Sequence, residues 1–315
     1  MPHPRDPHTR LLDAALRQCH PLIAEWTDSA RLRENLAGAI ADDLLRHTES
    51  TFADTVHEAL AIPGRVPEDY RQRWLEIEGE VIIADIAFLN RDVERPFVNV
   101  THRTMSIADD ATRDAIRDLV MREFACFRPQ RVSMWQPSHL PYQFAGCDAD
   151  MRLFAAPLRI IRAADAPGLG RVRLRPAADL SWYDRYEAEY ALMREARPNV
   201  KDVAIVESRE SMASLHQGRT VHEILIDGEW SGIYAAVPDT VFGGISGILV
   251  NEILLTEAAR GQSLGPAIHI TWARGATDQP DDACLMGTIG ATNRASSRAA
   301  RGAGRENVGG TWWVG

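Results

Sequence analysis

Residues 250–267 of this 315-residue chain read VNEILLTEAARGQSLGPA, and this stretch decides the fold. Its first six residues are rich in Ile, Leu and Val, which predicts a β-strand. A turn with small residues follows, and a helix is predicted from about Leu264 to Gly275. In a strand-to-helix turn of this kind, free backbone N–H groups and the positive helix end point at one spot. The stretch therefore predicts a site that suits a pyrophosphate.

Four residues of the turn have the chemistry that such a site needs. Gly261 and Gly265 would let the backbone approach a phosphate closely, because they lack a side chain. Arg260 offers a charged fork, and Ser263 can donate both its hydroxyl and its amide. Taken alone, the turn also fits an ordinary connection between a strand and a helix. The segments on either side favour the first interpretation.

The second half of the chain resembles the GCN5-related N-acetyltransferase (GNAT) superfamily, because three motifs occur in the order seen there. Residues 260–265 match the superfamily's pyrophosphate loop, Arg/Gln-x-x-Gly-x-Gly/Ala, with Ser263 in place of its first glycine. Before them, the turn at 227–229 resembles that of the second hairpin. After them, Asn293 resembles the start of the Asn-x-x-Ser/Ala helix. The resemblance implies that CoA is bound by Leu255, Arg260, Gly261, Gln262, Ser263, Leu264, Gly265 and Asn293.

The same resemblance implies an N-acyltransferase that moves an acyl group, acetyl above all, from acyl-CoA to the amine of a small molecule. The backbone N–H of Leu255 would polarise the thioester carbonyl, where the superfamily splays its fourth and fifth strands. Glu252 is the first candidate base, because burial in an apolar strand would raise its pKa toward neutrality. Glu223 is the second candidate, and its neighbour His222 must point to the opposite face of the predicted strand.

The general acid of the superfamily is missing from this sequence. In many members a tyrosine seven residues after the helix asparagine protonates the leaving thiolate, and the corresponding residue here is Ala300. Tyr234, Cys284 and Ser297 are the candidate replacements by position. Release of the thiolate into solvent is the alternative.

The helix predicted over 181–195 carries a stripe of aromatic side chains, which are Trp182, Tyr183, Tyr186 and Tyr190. Packing in the core is one interpretation of this stripe. Because the helix resembles the substrate-side first helix of the superfamily, a wall of the substrate pocket is the other.

Both halves of the chain show the same coarse order of predicted elements, which are helices, a pair of strands, a long helix and further strands. The Pro/Gly-rich residues 163–170 are the best linker candidate, so we predict domains at 1–165, with a helical start, and at 166–315. The predicted fold class is α+β, with two GNAT-like mixed sheets flanked by helices. The first copy is predicted to be degenerate, and this tandem arrangement resembles the mycothiol synthase family.

The first copy is not expected to bind a cofactor. Residues 101–110, THRTMSIADD, lead from a predicted strand into a predicted helix, as residues 260–265 do. They contain no glycine, and Asp109 and Asp110 lie where phosphates would bind. Because these negative charges would repel a pyrophosphate, we expect one CoA per chain.

The composition is that of a folded globular protein, with 45% apolar and 25% charged residues. The 35 basic and 44 acidic residues give a net charge of −9, which disfavours non-specific binding to DNA or to a membrane surface. Four cysteines without a C-x-x-C pair, and the lack of an H-E-x-x-H sequence, predict no metal site. No signal sequence or membrane-spanning stretch is recognised, so the expected location is the cytoplasm.

Two alternative functions stay open at the level of the sequence. In the first, aminoacyl-tRNA replaces acyl-CoA as the donor, and the amide forms on a small metabolite or peptide. The missing tyrosine and the altered glycine favour this alternative, while the acidic net charge disfavours it. In the second, the protein binds CoA without catalysing any transfer.

Overall fold

The structure is a computed structural model, and it describes residues 6–196 and 205–315. The chain forms two compact units, Met1–Met151 with Gly309–Gly315 and Arg152–Val308. The chain therefore passes between the units earlier than the predicted boundary at 165/166, and it returns to the first unit near its end.

The predicted linker, residues 163–170, belongs to the second unit. Two arginines anchor the preceding helix end through backbone carbonyls. Arg162 donates from Nε to the oxygen of Ala273 at 2.9 Å, and Arg274 donates from Nη2 to the oxygen of Ala164 at 2.8 Å. A small, Pro/Gly-rich composition predicts flexibility, but these long-range hydrogen bonds tie the segment to a helix of the second unit.

The first unit contains helices α1 (Pro7–Gln18), α2 (Pro21–Trp26), α3 (Ser29–Thr48), α4 (Thr51–Leu60) and α5 (Asp110–Glu123). Its strands are β1 (Arg73–Ile77), β2 (Glu80–Phe88), β3 (Pro96–Arg103), β4 (Val132–Pro137) and the end of β11 (Glu306–Val314). Strands β1, β2 and β3 pair antiparallel, β3 and β4 pair parallel, and β4 and β11 pair antiparallel. The parallel pair is joined by α5, as a crossover between parallel strands requires.

The second unit begins within β5 (Asp148–Pro157), and its sheet has the order β5-β10-β9-β8-β7-β6. The other strands are β6 (Val172–Pro176), β7 (Val221–Ile226), β8 (Glu229–Phe242), β9 (Ile245–Leu255) and β10 (Cys284–Gly290). The helices are α6 (Leu158–Ala163), α7 (Tyr183–Ala196), α8 (Arg209–Gln217), α9 (Gly265–Gly275) and α10 (Arg294–Gly302). Across both described stretches of the chain, no helix is long and apolar enough to cross a membrane.

Each face of the second sheet has its own apolar core. Helices α7 and α8 cover one face, where Ile233 and Leu254 are buried. Helices α6 and α9 cover the other face, where Tyr234 and Leu285 are buried. Because side chains alternate along a strand, Ile233 and its neighbour Tyr234 lie on opposite faces of β8.

The two units repeat one arrangement of elements. The series β1-β2-β3-α5-β4 and β7-β8-β9-α9-β10 have the same pairing sense at every step. Each series also has a β-bulge at the same place, where Thr101 is the extra residue of β3 and Asn251 the extra residue of β9. The predicted α+β class with mixed sheets flanked by helices is confirmed, and the shared bulge supports the predicted duplication.

Candidate active site

A cleft opens between the parallel strands β9 and β10. The two strands pair only where Gly247, Ile248 and Leu249 face residues 284–286, and no further pairing is found along their described lengths. A Cβ on Gly247 would lie 2.1 Å from the oxygen of Cys284, so the strands are closest there. We call the widening space between residues 250–255 and 287–290 the β9–β10 cleft. It opens toward the carboxyl ends of both strands.

The backbone of Leu255 faces this cleft. The amide of Thr256 donates to the backbone oxygen of Ser231 in β8 at 2.9 Å. Because amides alternate in direction along an antiparallel strand, the N–H of Leu255 points away from β8 and toward the cleft. The sequence predicted this amide as a donor to a thioester carbonyl, and its orientation suits that role.

The turn after β9 leads into a helix end without a side-chain cap. Gly261 and Ser263 both have positive φ, +78° and +59°, and Leu264 is the N-cap residue of α9. Within the described part of the chain, no hydrogen bond is made by the amides of residues 261–265. The turn therefore presents several free N–H groups, together with the exposed Ser263, at the positive end of an 11-residue helix.

Arg260 ties this turn to α7. Its Nε donates to the oxygen of Leu255 at 2.8 Å, and its Nη2 forms an ion pair with Glu189 Oε2 at 3.3 Å. The Glu189 carboxylate also accepts from the amide of Glu257 at 2.8 Å. The sequence predicted Arg260 as a charged fork for phosphate, and in the structure its partly buried guanidinium contacts these neighbouring protein groups.

A different arginine contacts the outside of the turn. Arg171 forms an ion pair with Asp227 at 2.7 Å and donates to Gln262 Oε1 at 2.9 Å. The amide nitrogen of the Gln262 side chain donates to the oxygen of Ala258 at 2.9 Å. Gln262 therefore orders the turn through both ends of its side chain, and its predicted contact with the cofactor is left to its backbone amide.

Gly265 is needed for helix packing. A Cβ at this position would lie 2.5 Å from Cβ of Ala299 in α10, far inside contact distance. A Cβ on Gly302 would similarly lie 2.6 Å from Cγ of Pro266. The sequence predicted Gly265 as a point of close phosphate approach, whereas its missing side chain lets α9 and α10 touch.

Asn293 caps α10, since its Oδ1 accepts from the amide of Ser296 at 3.1 Å. Such a cap is worth about 1 kcal/mol to a helix. The predicted role of Asn293 in holding the cofactor therefore competes with a local structural role. The position of the missing tyrosine, Ala300, is buried in the core.

Glu252 is a buried carboxylate held by two tyrosines of α7. Only 6% of the residue is exposed. Its Oε2 accepts from Tyr186 Oη at 2.6 Å, and both carboxylate oxygens lie 3.0 Å from Tyr190 Oη. Burial raises the pKa of Glu252 to about 7, although the two tyrosine hydrogen bonds act in the opposite direction. A carboxylate with this pKa can take up and release a proton near neutral pH.

The two tyrosines are functional candidates that sequence reasoning left undecided between core packing and a substrate wall. Burial, and then the Glu252 charge, raises the pKa of both hydroxyls, so they remain protonated donors. Tyr186 also accepts from the amide of Glu207 at 3.0 Å. A signal was present in the sequence: two tyrosines at i and i+4 share a helix face, and one acid stands in an apolar strand.

The structure does not bring the other predicted catalytic residues to Glu252. Glu223 on β7 is paired with Arg175, whose Nε donates to Glu223 Oε2 at 3.1 Å. Tyr234 lies on the opposite face of the sheet, fully buried, with its hydroxyl 3.2 Å from His269 Nδ1. Register alternation separates Tyr234 from Glu252, because Tyr234 pairs with Ile253 and not with Glu252.

Of the further acid candidates, Cys284 lies at the closed end of the cleft, opposite Gly247. Burial raises the pKa of its thiol to about 12. Ser297 lies on α10, partly buried. No group of three or more His, Cys, Asp or Glu side chains suited to a metal ion occurs among the residues that the structure describes.

Comparison with known proteins gives likeness of fold only. No family model matches the chain, and no curated protein matches it in sequence. The chain is similar to a GNAT-family acetyltransferase from Colwellia psychrerythraea, with a TM-score of 0.47, 8% identity, and coverage of 78% of this chain and 85% of that chain.

Two further solved structures are similar. A GCN5-related N-acetyltransferase from Sphaerobacter thermophilus has a TM-score of 0.44 and 13% identity, covering 82% of this chain and 87% of that one. A tandem GNAT protein from the clavulanic acid biosynthesis pathway has a TM-score of 0.43 and 12% identity, covering 76% and 80%. Likeness at these values carries no information about substrate or mechanism.

Proposed function

We propose that the second unit is an N-acyltransferase that binds acyl-CoA and transfers its acyl group to the amine of a small molecule. One observation carries the proposal: the β9–β10 cleft opens onto the uncapped amino end of α9, with Glu252 on the strand between them. A cleft of this kind offers hydrogen-bond donors for phosphates at one end and a base near the acyl group.

The free amides of residues 261–265 and the Ser263 hydroxyl would hold the pyrophosphate at the helix end. The pantetheine arm would then run along β9, whose unpaired edge faces the cleft. The N–H of Leu255 supports the arm by a hydrogen bond, as an added strand would. Acyl-CoA would supply a thioester whose carbonyl carbon is open to attack by an amine.

Glu252 takes the proton of the attacking amine. As the C–N bond forms, the C–S bond breaks and its electron pair leaves on sulfur as a thiolate. Tyr186 and Tyr190 hold the carboxylate in position by donating to it, so both are positioning residues. Because Ala300 stands where the superfamily has its tyrosine, the thiolate takes its proton from solvent.

The first unit lacks both features that support this proposal. The amino end of α5 is closed by Asp109, whose Oδ1 accepts from the amide of Thr112 at 2.8 Å. The space between β3 and β4 is bridged by Arg103, which donates to the oxygen of Trp135 at 2.9 Å and to Gln136 Oε1 at 3.0 Å. A phosphate would meet a carboxylate at the helix end, and an acyl chain would meet a guanidinium in the gap.

Two substitutions of Ser263 test the proposal at the phosphate turn. Ser263 is exposed with positive φ, a conformation that Asn and Asp tolerate. Ser263→Asp places a negative charge at the helix end, which should stabilise the free protein by about 0.3–1 kcal/mol and abolish the rise in melting temperature given by millimolar CoA. Ser263→Asn, the matched neutral control, should keep most of that rise. If CoA stabilises both variants equally, phosphates do not bind at this turn.

An assay of turnover distinguishes an acyltransferase from a protein that only binds CoA. We expect amine-dependent release of CoA thiol from acyl-CoA, and Glu252→Gln should lower its rate about 100-fold near pH 7 while CoA still binds. The loss should shrink at high pH, where free amine is abundant. CoA binding without turnover by any amine would identify a non-catalytic CoA-binding protein. Salt-sensitive binding of aminoacyl-tRNA, with no response to CoA, would identify the tRNA-dependent alternative.

A further inference from the structure

Arg305 is a buried cation without a carboxylate partner. The residue follows α10, is 2% exposed, and donates its amide to the oxygen of Ala300 at 3.0 Å. Its Nη2 donates to the oxygens of Phe154 on β5 at 2.8 Å and Gly287 on β10 at 3.3 Å. Its Nε has no partner, and no ion pair of Arg305 occurs among the described residues. A buried charge satisfied only by neutral carbonyls is costly unless an anion joins it.

The guanidinium lies at the inner end of the β9–β10 cleft. Gly287 is the first residue of β10 beyond the paired segment, which ends at Met286. A Cβ on Gly287 would lie 2.9 Å from Arg305 Nη2 and 3.2 Å from the oxygen of Val250. The missing side chain of Gly287 therefore leaves room for the guanidinium at the floor of the cleft.

Two ionisable side chains interact electrostatically with Arg305, and neither carries a negative charge. Burial lowers the pKa of His269 to about 3, so this imidazole is neutral. Tyr234 is fully buried, and burial raises the pKa of its hydroxyl. Burial also lowers the pKa of Arg305 to about 10, which still leaves the guanidinium charged at neutral pH. The floor of the cleft is therefore a single positive charge in an apolar setting.

The position of Arg305 indicates which acyl group the cleft would bind. When the phosphates are held at residues 261–265, the pantetheine arm enters the cleft at Leu255 and the acyl end points to Val250, about 17 Å further along the strand. The arm and a short acyl chain together can span that length. We propose that the donor is a thioester of a short dicarboxylic acid, whose terminal carboxylate pairs with Arg305. The inference rests on the proposed acyl-CoA function.

Arg103 in the first unit provides a matched control. It is 7% exposed, its Nε also lacks a partner, and its Nη1 donates to the oxygen of Trp135, the first residue of β4 after the paired segment. The two arginines differ in the element that carries them and in the strands to which they donate. Arg103 belongs to β3 and donates across to β4, whereas Arg305 follows α10 and donates to the oxygens of Phe154 on β5 and Gly287 on β10.

The experiment compares succinyl-CoA and malonyl-CoA with butyryl-CoA and free CoA by calorimetric titration of the full chain, which needs no knowledge of the acceptor. The wild type should bind succinyl-CoA or malonyl-CoA about tenfold or more tightly than butyryl-CoA, since a charge-assisted hydrogen bond is gained. Arg305→Met should remove this preference while free CoA binds unchanged, and Arg103→Met should retain it. Arg305→Met is expected to fold, because a buried arginine replaced by an apolar side chain of similar length is often tolerated.

Each outcome decides the matter. Equal or tighter binding of butyryl-CoA by the wild type overturns the inference, even if Arg305→Met does not fold. A preference for the dicarboxylic thioesters that survives in Arg305→Met also overturns it, because the carboxylate would then be read elsewhere. Binding of free CoA without any preference leaves the proposed acyltransferase standing and removes only its donor class. Failure of the wild type to bind free CoA overturns both.

Discussion

The pKa and the position of the Glu252 carboxylate depend on its burial and on the hydroxyl groups of Tyr186 and Tyr190. Its isolation in an apolar strand was readable in the sequence, because an acid among Ile and Leu residues predicts burial and a raised pKa. Its partners were not decided, because a tyrosine on a helix face packs and donates hydrogen bonds equally well. Arg260 and Gly265 also have structural roles that their motif did not predict, since Arg260 donates to a backbone carbonyl and the missing side chain of Gly265 lets α9 pack on α10.

The raised pKa of Glu252 predicts a dependence of stability on pH. Burial raises the pKa of the Glu252 carboxyl group from its ordinary value of 4.5 to about 7 in the folded chain. The folded state therefore keeps the proton to a higher pH than the unfolded state does. The resulting contribution to the free energy of unfolding is fully present below pH 4.5 and is lost as the pH rises through 7. Glu252→Gln cannot titrate, so its free energy of unfolding relative to the wild type should rise by at most about 3 kcal/mol between pH 4.5 and 8.

Urea unfolding of both proteins at several pH values measures this difference. Glu76→Gln, which removes an exposed carboxyl group, serves as the matched control for the loss of one carboxylate. A difference between Glu252→Gln and the wild type that stays constant across the range would contradict the buried, raised-pKa carboxyl group.

At the scale of elements, α9 is positioned by its contact with α10. Gly265→Ala should destabilise the chain by about 1–3 kcal/mol, because its new Cβ would overlap Cβ of Ala299 at 2.5 Å. Ala299→Gly alone should cost about 1 kcal/mol through helix propensity. The double variant should cost less than the sum, because the glycine at 299 makes room for the new methyl group.

A double-mutant cycle of urea unfolding measures the coupling between positions 265 and 299. Additive losses would show that the two helices do not meet there. Gly275→Ala, where an added Cβ meets nothing within 4 Å, is the control for a glycine substitution in the same helix.

The strands and helices around the turn were predictable because their apolar periodicities and turn residues are local. The predicted strands at the centre of the second unit and the helix after the turn correspond to β7, β8, β9 and α9. The partnership of Gly265 with Ala299 was not predictable, because it joins residues of two helices through a long-range contact. The boundary at 165/166 differs from the structure for the same reason, since composition does not reveal the carbonyls that hold Arg162 and Arg274.

At the scale of the whole molecule, one arrangement of strands occurs twice, with different side chains at equivalent positions. The residue after the bulge is Glu252 in β9 and His102 in β3, and His102 Nε2 lies 2.9 Å from Asp43 Oδ2 on α3. The sequence predicts that only the second unit binds a cofactor, because Asp109 and Asp110 lie where phosphates would bind in the first. Arg103, which bridges β3 and β4, is a second reason to expect no cofactor in the first unit. It could be recognised only once the register of β3 and β4 was known.

The central claim is that the second unit alone binds CoA, at the amino end of α9. Calorimetric titration of CoA into the full chain tests it most directly, because the stoichiometry counts the sites. We predict one CoA per chain in the wild type and none in Ser263→Asp. Two CoA per chain, or one CoA that still binds to Ser263→Asp with unchanged affinity, would contradict the account.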